Sequence, residues 1–305
     1  MSPRSARHGA AYNLRGAAFM VLSMAGFAVE DSLLKITAAS LPPGQVLITF
    51  GILGTLVFAI LSLLAHEPPL TRAMGTRPLI LRSLSEVAGR LFFMLAIMLT
   101  PLSTASAILQ ATPLVVMVGA AMLFGERIGP RRWLAVILGF VGVLLVIRPG
   151  TDAFGPLSLL SVGAMLGFAG RDLATRAAPV SMSFRQLGVL GFTMLIVAGL
   201  IALPFGGPPV APDARTWLGL FAAAAAGVCA YTFLTMAMRT GEIGAVTPFR
   251  YTRLVFAMLA GMLVFSERPD AWTMIGGVVI VLSGIAALRL SRPRRAARID
   301  GAAPS

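Results

Sequence analysis

Apolar residues along this chain come in long stretches, separated by short connections rich in Pro, Gly and charge. A bilayer span needs about 20 mostly apolar residues, and residues 46–65 and 216–238 reach that length without a single charge. The punctuation divides the chain into ten such spans, near 16–38, 45–65, 83–100, 104–124, 132–148, 156–177, 185–204, 216–238, 244–265 and 271–290. The uncharged run from Leu91 to Gly125 is too long for one span, so TPLS at 100–103 is predicted to turn within it.

Composition agrees with that reading. At 57% hydrophobic and 12% charged over 305 residues, the chain has too little polar surface for a soluble globule and belongs to the membrane class. The first apolar segment is long and carries charges, so it reads as a retained span rather than a cleaved signal. A net charge of +13 raises the question of nucleic acid, but the bases follow the positive-inside rule instead. Assigned to alternate ends of the ten spans, eighteen Lys and Arg fall on one side and three on the other, with Lys35, Arg90, Arg250 and Arg253 inside spans. Both termini are therefore expected in the cytoplasm. The basic tail RLSRPRRAARID serves topology and contact with anionic lipid headgroups, each base contributing about 1 kcal/mol near the surface.

A repeat gives the spans an order. MAGFAVEDSLLK at 24–35 returns 141 residues later as MLGFAGRDLATR at 165–176, matching at Met, Gly, Phe, Ala and Asp and ending on Lys35 or Arg176. The same shift aligns FGERIGP at 124–130 with FSERPDA at 265–271. One period holds five spans, an odd number, so the second copy must cross the membrane in the opposite sense. The charges agree, because Pro130 is followed by Arg131 and Arg132 whereas Pro269 is followed by Asp270. The fold class expected is an all-α integral membrane protein of ten transmembrane helices in two inverted-topology five-helix repeats. Such repeats are characteristic of secondary transporters, in which two pseudo-symmetric halves exchange inward-open and outward-open shapes around one site.

Each half closes with the FGER or FSER turn and a Gly-rich final helix, ILGFVGVLLVIRPG at 137–150 and IGGVVIVLSGI at 275–285. In these features the chain resembles the EamA-type drug/metabolite transporter superfamily, with repeats at 15–149 and 156–290 between short tails at 1–14 and 291–305. The resemblance implies a carrier of a small metabolite in the bacterial inner membrane. Branches that take up riboflavin or S-adenosylmethionine are similar in general pattern. Many members carry an Arg in the second span, where this chain reads VLITFGILGT. The readings from other classes are a membrane-embedded enzyme and a channel. Against the enzyme, the sequence has no GxxxxGK[ST], GxSxG or HExxH pattern, and its two histidines, His8 and His66, fall in polar connections. No metal or cofactor is expected. The single Cys229 excludes an intramolecular disulfide.

Charges within spans are the strongest functional pointers, because each ionised group at a helix centre costs about 2.5–3.5 kcal/mol on insertion scales and so faces a partner or a water-filled cavity. Four groups stand out. Span one carries Glu30, Asp31 and Lys35. Span three carries Glu86 and Arg90, span six carries Arg171, Asp172 and Arg176, and span nine carries Arg250, Tyr251 and Arg253 just after Pro248. Asp31 and Lys35 fall in the outer third of their span, and Asp172 and Arg176 in the inner third of theirs. This suits symmetric gates, or end-of-helix anchors paired at i,i+4.

Arg90, Arg250 and Arg253 are expected nearer the midplane, where three guanidiniums exceed the nearby carboxylates. With Tyr251, and with Gln110 opposite it in the repeat alignment, they are candidates to hold a small polar or anionic substrate. The alternative is buried structural pairing of Arg90 with Glu86 and of Arg250 with Asp172. Glu86 and Glu30 are candidates to exchange a proton. The partners implied are a small molecule, the lipid bilayer and protons, with no nucleic acid. Oligomeric state is left open.

Overall fold

The computed structural model describes residues 3–37, 40–99, 108–126, 128–147, 156–179, 181–264 and 271–290. Among them the longer elements are ten helices: α1 (Pro3–Thr37), α2 (Pro43–Leu64), α3 (Arg77–Leu99), α4 (Thr112–Phe124), α5 (Pro130–Ile147), α6 (Ser158–Arg176), α7 (Phe184–Ala202), α8 (Ala214–Arg239), α9 (Thr252–Val264) and α10 (Ala271–Leu290). No strand occurs among the described residues.

Local chemistry fixes several helix ends. Pro43 stands in the first turn of α2, where its missing N–H is no loss. Ser183 and Gln186 form a reciprocal capping box on α7, and Asp213 accepts from the Thr216 N–H to cap α8. Gly125, at φ 63°, closes α4 in the left-handed region where a Cβ would clash. From the first turn of α7, the Arg185 guanidinium grips both oxygens of Glu67, in the connection after α2, at 3.1 and 2.5 Å and holds that carboxyl below its usual range.

Four segments, Ala11–Leu34, Pro43–Leu64, Phe184–Phe205 and Ala214–Arg239, are long and apolar enough to cross a bilayer. Of the others, α3 and α6 bear internal charge, as sequence leads one to expect, and α4 and α9 are short. Three differences from the predicted spans stand out. Residues Pro3–Leu14, read as a tail, continue α1 as helix. The fourth span becomes α4 only after a turn at Gln110 and Ala111, while the predicted turn at 100–103 lies outside the described residues. The ninth span is broken into a short turn Ile243–Val246, a 3-10 stretch Thr247–Tyr251, and then α9. Pro113 and Pro248 each lack an N–H and crowd the preceding turn, which is why both spans are interrupted there.

The halves pack as an inverted pair. α1 lies along α8, α3 along α6, α2 along α7 and α5 along α10. Exchanging each helix for its repeat equivalent turns the first pairing into the second and leaves the last two unchanged, as a two-fold axis requires. α2 and α7 run antiparallel, since Gly44 abuts Leu203, Gly51 abuts Ile196 and Gly188 abuts Phe58. Gly142 of α5 likewise meets Gly276 and Ile280 of α10. Equivalent helices running in opposite senses are what inverted topology means in three dimensions. A Cβ on Gly51 would lie 3.0 Å from the carbonyl oxygen of Phe192, which is its own equivalent 141 residues on, so the axis passes between them.

Candidate functional site

The repeated motif does the same work in both halves. Its glycine allows close helix approach: a Cβ on Gly26 would sit 2.9 Å from the Ala230 Cβ, and one on Gly167 would sit 2.6 Å from the Gly89 Cα. Ala230 and Gly89 are themselves 141 residues apart. Its phenylalanine lies beneath guanidinium, with Arg253 over Phe27 at 5.1 Å, and Arg171 and Arg90 over Phe168 at 5.2 and 5.7 Å. Its aspartate receives an arginine. Asp31 Oδ2 accepts from Arg253 Nε at 3.2 Å and Nη2 at 2.6 Å. Asp172 accepts from Arg250 through Oδ2 and from Arg171 Nε through Oδ1 at 2.9 Å. Both motifs are thus tied to the ninth span, whose two arginines, three residues apart, reach one aspartate of each half.

From Asp172 the charges continue inward. Glu86 Oε1 accepts from Arg171 Nη1 at 3.3 Å and forms an ion pair with Arg90 Nε at 3.6 Å. The result is a chain, Arg90, Glu86, Arg171, Asp172, Arg250, bridging α3, α6 and the 3-10 stretch before α9. Asp172 therefore lies within this network rather than in a separate gate. Arg90, Arg250 and Arg253 each face a carboxylate, so the excess of guanidiniums expected from the sequence disappears once α1 and α6 fold against the third and ninth spans.

Arg176 does not pair with Asp172, whose two oxygens are already taken. It donates to the carbonyls of Met238 at 3.3 Å and Gly241 at 2.9 Å and lies 3.9 Å from Glu126. The side chain of Lys35 lies outside the described residues. Tyr251 turns away from the network into an apolar cluster with Met117, Val136, Val143 and Ile280, its buried hydroxyl without a partner among the described residues. Gln110 sits in the turn before α4, with no hydrogen bond to the network among the described residues.

Sequence reasoning missed Arg82, counted as a base flanking α3. It is wholly buried, donating through Nε to Thr175 Oγ1 at 3.0 Å, through Nη2 to the Leu187 carbonyl at 3.2 Å, and to the Tyr231 hydroxyl. A signal for it existed, since Arg82, Glu86 and Arg90 recur every four residues on one face of α3.

The two aspartate–arginine contacts differ in exposure. Side-chain exposure is 50% for Asp31 and 37% for Arg253, against 1% for Asp172 and 12% for Arg250. Beyond Asp172, at the end of α6, a polar cluster ties the chain together. Glu126 accepts from the Ile243 N–H at 2.9 Å, Asn13 accepts from the Glu242 N–H at 2.9 Å, and Arg132 pairs with Glu242. Among the described residues no group of three or more His, Cys, Asp or Glu converges as a metal site would require.

A profile of the EamA-like transporter family matches residues 14–148 and again 155–289. The chain belongs to this family. The pseudopaline exporter of Pseudomonas aeruginosa is 31% identical over 92% of this chain and 97% of its own. The riboflavin transporter of Vibrio cholerae is 27% identical over 88% and 91%, and the S-adenosylmethionine uptake transporter of Rickettsia felis is 29% identical over 66% and 68%. A solved crystal structure superposes with a TM-score of 0.76 over 92% of this chain and 98% of that one at 20% identity, a likeness of fold alone. This EamA-like protein is a multi-pass membrane transporter of small molecules.

Proposed function

We propose that this protein is a ten-span carrier of the bacterial inner membrane, with both termini in the cytoplasm. It moves a small polar or anionic metabolite by alternating access and holds it between the halves at Arg253, with Arg90 and Arg250 behind. The observation that carries this reading is the half-exposed Asp31–Arg253 pair at the mouth of an otherwise buried charge network. Arg253 aims Nε and Nη2 at a single oxygen of Asp31. A ligand carboxylate or phosphate can offer that fork two oxygens and so replace Asp31 with a better partner, without burying an uncompensated charge. The named relatives take up riboflavin or S-adenosylmethionine or export pseudopaline, so vitamin- and cofactor-type metabolites are the first candidates and either direction of transport is open to this fold.

The test is a thermal-shift screen of purified protein against a metabolite library that includes riboflavin and S-adenosylmethionine, because a ligand that binds only the folded state raises its stability. Arg253→Lys keeps the charge and loses the fork. It is expected to melt near wild type and to weaken ligand binding by about tenfold or more, equivalent to about 1.4 kcal/mol. Arg250→Lys also disturbs a buried pair and is expected to lower the melting temperature as well. Wild-type binding by Arg253→Lys would reduce Arg253 to an anchor for α9. Recovery of chemically altered ligand after transport would favour the membrane-embedded enzyme instead.

A further inference from the structure

Of the four carboxylates around the site, Asp31, Glu86 and Asp172 are each held by arginine. Glu30 is different. It is only 2% exposed, and among the described residues its Oε2 has no hydrogen-bond partner and no ion pair joins it to a side chain. Its carboxyl is set against α8 where Gly227 leaves room: a Cβ there would meet Glu30 Oε2 at 3.1 Å and the Phe50 ring edge at 2.5 Å. On this side Glu30 Oε2 faces helix backbone and an aromatic ring, and neither supplies a counter-charge.

The charged groups that act on Glu30 come from three helices. Arg90 and Glu86 stand on α3, and the adjacent Asp31 stands on α1. Arg253, on α9, is occupied by Asp31. On α8 the titratable groups in the turn after Gly227 are Cys229, which is exposed, and Tyr231, whose hydroxyl is taken by Arg82. Arg250, just before α9, is taken by Asp172. Lys35 is on the same helix, with a side chain outside the described residues.

We infer that Glu30 is the proton-binding site of this transporter, carrying a proton while it is walled in against α8 and losing it to water when the helices rearrange to bring a guanidinium to it. An ionised carboxylate buried without a partner costs several kcal/mol, and a proton removes that cost. Arg253 and Arg90 are the guanidiniums within the same cluster that can neutralise the deprotonated form. A ligand anion that takes Arg253 from Asp31 adds negative charge beside Glu30 and withdraws a guanidinium from it, which couples proton retention to binding and proton release to ligand departure. The inference rests on the carrier reading above, but the proton site can be tested without any substrate.

The test is an infrared titration of the purified full-length protein in lipid, following the carboxylic-acid C=O band between about pH 5 and about pH 9. Wild type is expected to show a band that disappears as pH rises, and Glu30→Gln is expected to lack it. Glu86→Gln is expected to retain it. If Glu30→Gln does not fold, Glu30→Asp keeps the acid and must shift the band. A wild-type protein with no titrating band, or a band unchanged in both Glu30 variants, overturns the assignment. A normal Glu30 band with ligand binding indifferent to Arg253→Lys would remove the arginine site and leave the proton site standing, and the converse result would remove only Glu30.

Discussion

Tyr231 and Tyr251 bury two phenolic hydroxyls of opposite standing, and removing each has a calculable consequence. The Tyr231 hydroxyl accepts from Arg82, and Arg82 Nη1 already lacks a partner among the described residues. Tyr231→Phe therefore leaves a buried guanidinium further undersatisfied and is expected to cost about 1–3 kcal/mol. The Tyr251 hydroxyl has no partner to lose. Tyr251→Phe is expected to be neutral or slightly stabilising, and paired thermal melts in one detergent decide the matter. Equal losses would mean that the Arg82 contact contributes nothing. At this scale the sequence is legible only in part. Residue type and helical position single out the charged groups of the first, third, sixth and ninth spans and leave two pairings open. Spacing offers Arg176 to Asp172 and the excess of buried charge offers Arg250, and the packing of α6 against the ninth span decides for Arg250, with Arg171 joining it and Arg90 facing Glu86. Arg82 was hidden because a base near a predicted helix end looks like a topology signal, whereas the fold carries α3 further out, to Arg77, and draws Arg82 inside.

Helices were easier to read than side chains, because long apolar runs and a repeated dodecapeptide survive without knowledge of packing. What the pattern lacks is where a helix breaks. The fourth and ninth spans are apolar enough to read as continuous, yet both are interrupted before α4 and α9, where proline withdraws a backbone donor. Gly163 and Gly167 stand four apart on one face of α6, a spacing that lets helices approach closely, and the structure shows how tight that face is. An alanine at position 167 would drive its Cβ to 2.6 Å from the Gly89 backbone, where no side chain can yield. Gly167→Ala is expected to destabilise by about 1–3 kcal/mol as α3 and α6 are forced apart. Gly277 is the control. Its Cβ would meet only the flexible end of Met258 at 3.4 Å. Gly277→Ala is expected to be tolerated, with helix propensity in its favour by up to about 1 kcal/mol. Indistinguishable melting temperatures for the two variants would mean that α3 and α6 can separate freely.

Across the whole molecule the two halves are related by a two-fold, but the conformation is not symmetric. The Asp31 contact is exposed and the Asp172 contact is buried, and the buried end is the one beyond which Glu126, Arg132, Arg176, Glu242 and Asn13 knit α1, α4, α5 and α6 to the broken ninth span. In an alternating-access carrier this cluster would be a closed door on the side of Arg132, the cytoplasmic side by the positive-inside count, and it should hold the present state over its inward-open counterpart. Glu126 is the piece to remove, since it caps the Ile243 N–H and faces Arg176. A hydrogen bond to a charged group contributes about 1.5–3 kcal/mol, so Glu126→Gln should raise the inward-open population by about tenfold or more. Thr247, fully buried one turn inside the door, reports the change. In a Cys229→Ser background, Thr247→Cys is expected to react slowly with an impermeant thiol reagent offered from the cytoplasmic side, and about tenfold faster once Glu126→Gln is added. Because a shifted equilibrium exposes one face at the expense of the other, labelling near Asp31 from the opposite side should slow in the same variant. Faster labelling on both faces would signal general loosening, and unchanged labelling on both would show that the cluster is not a door.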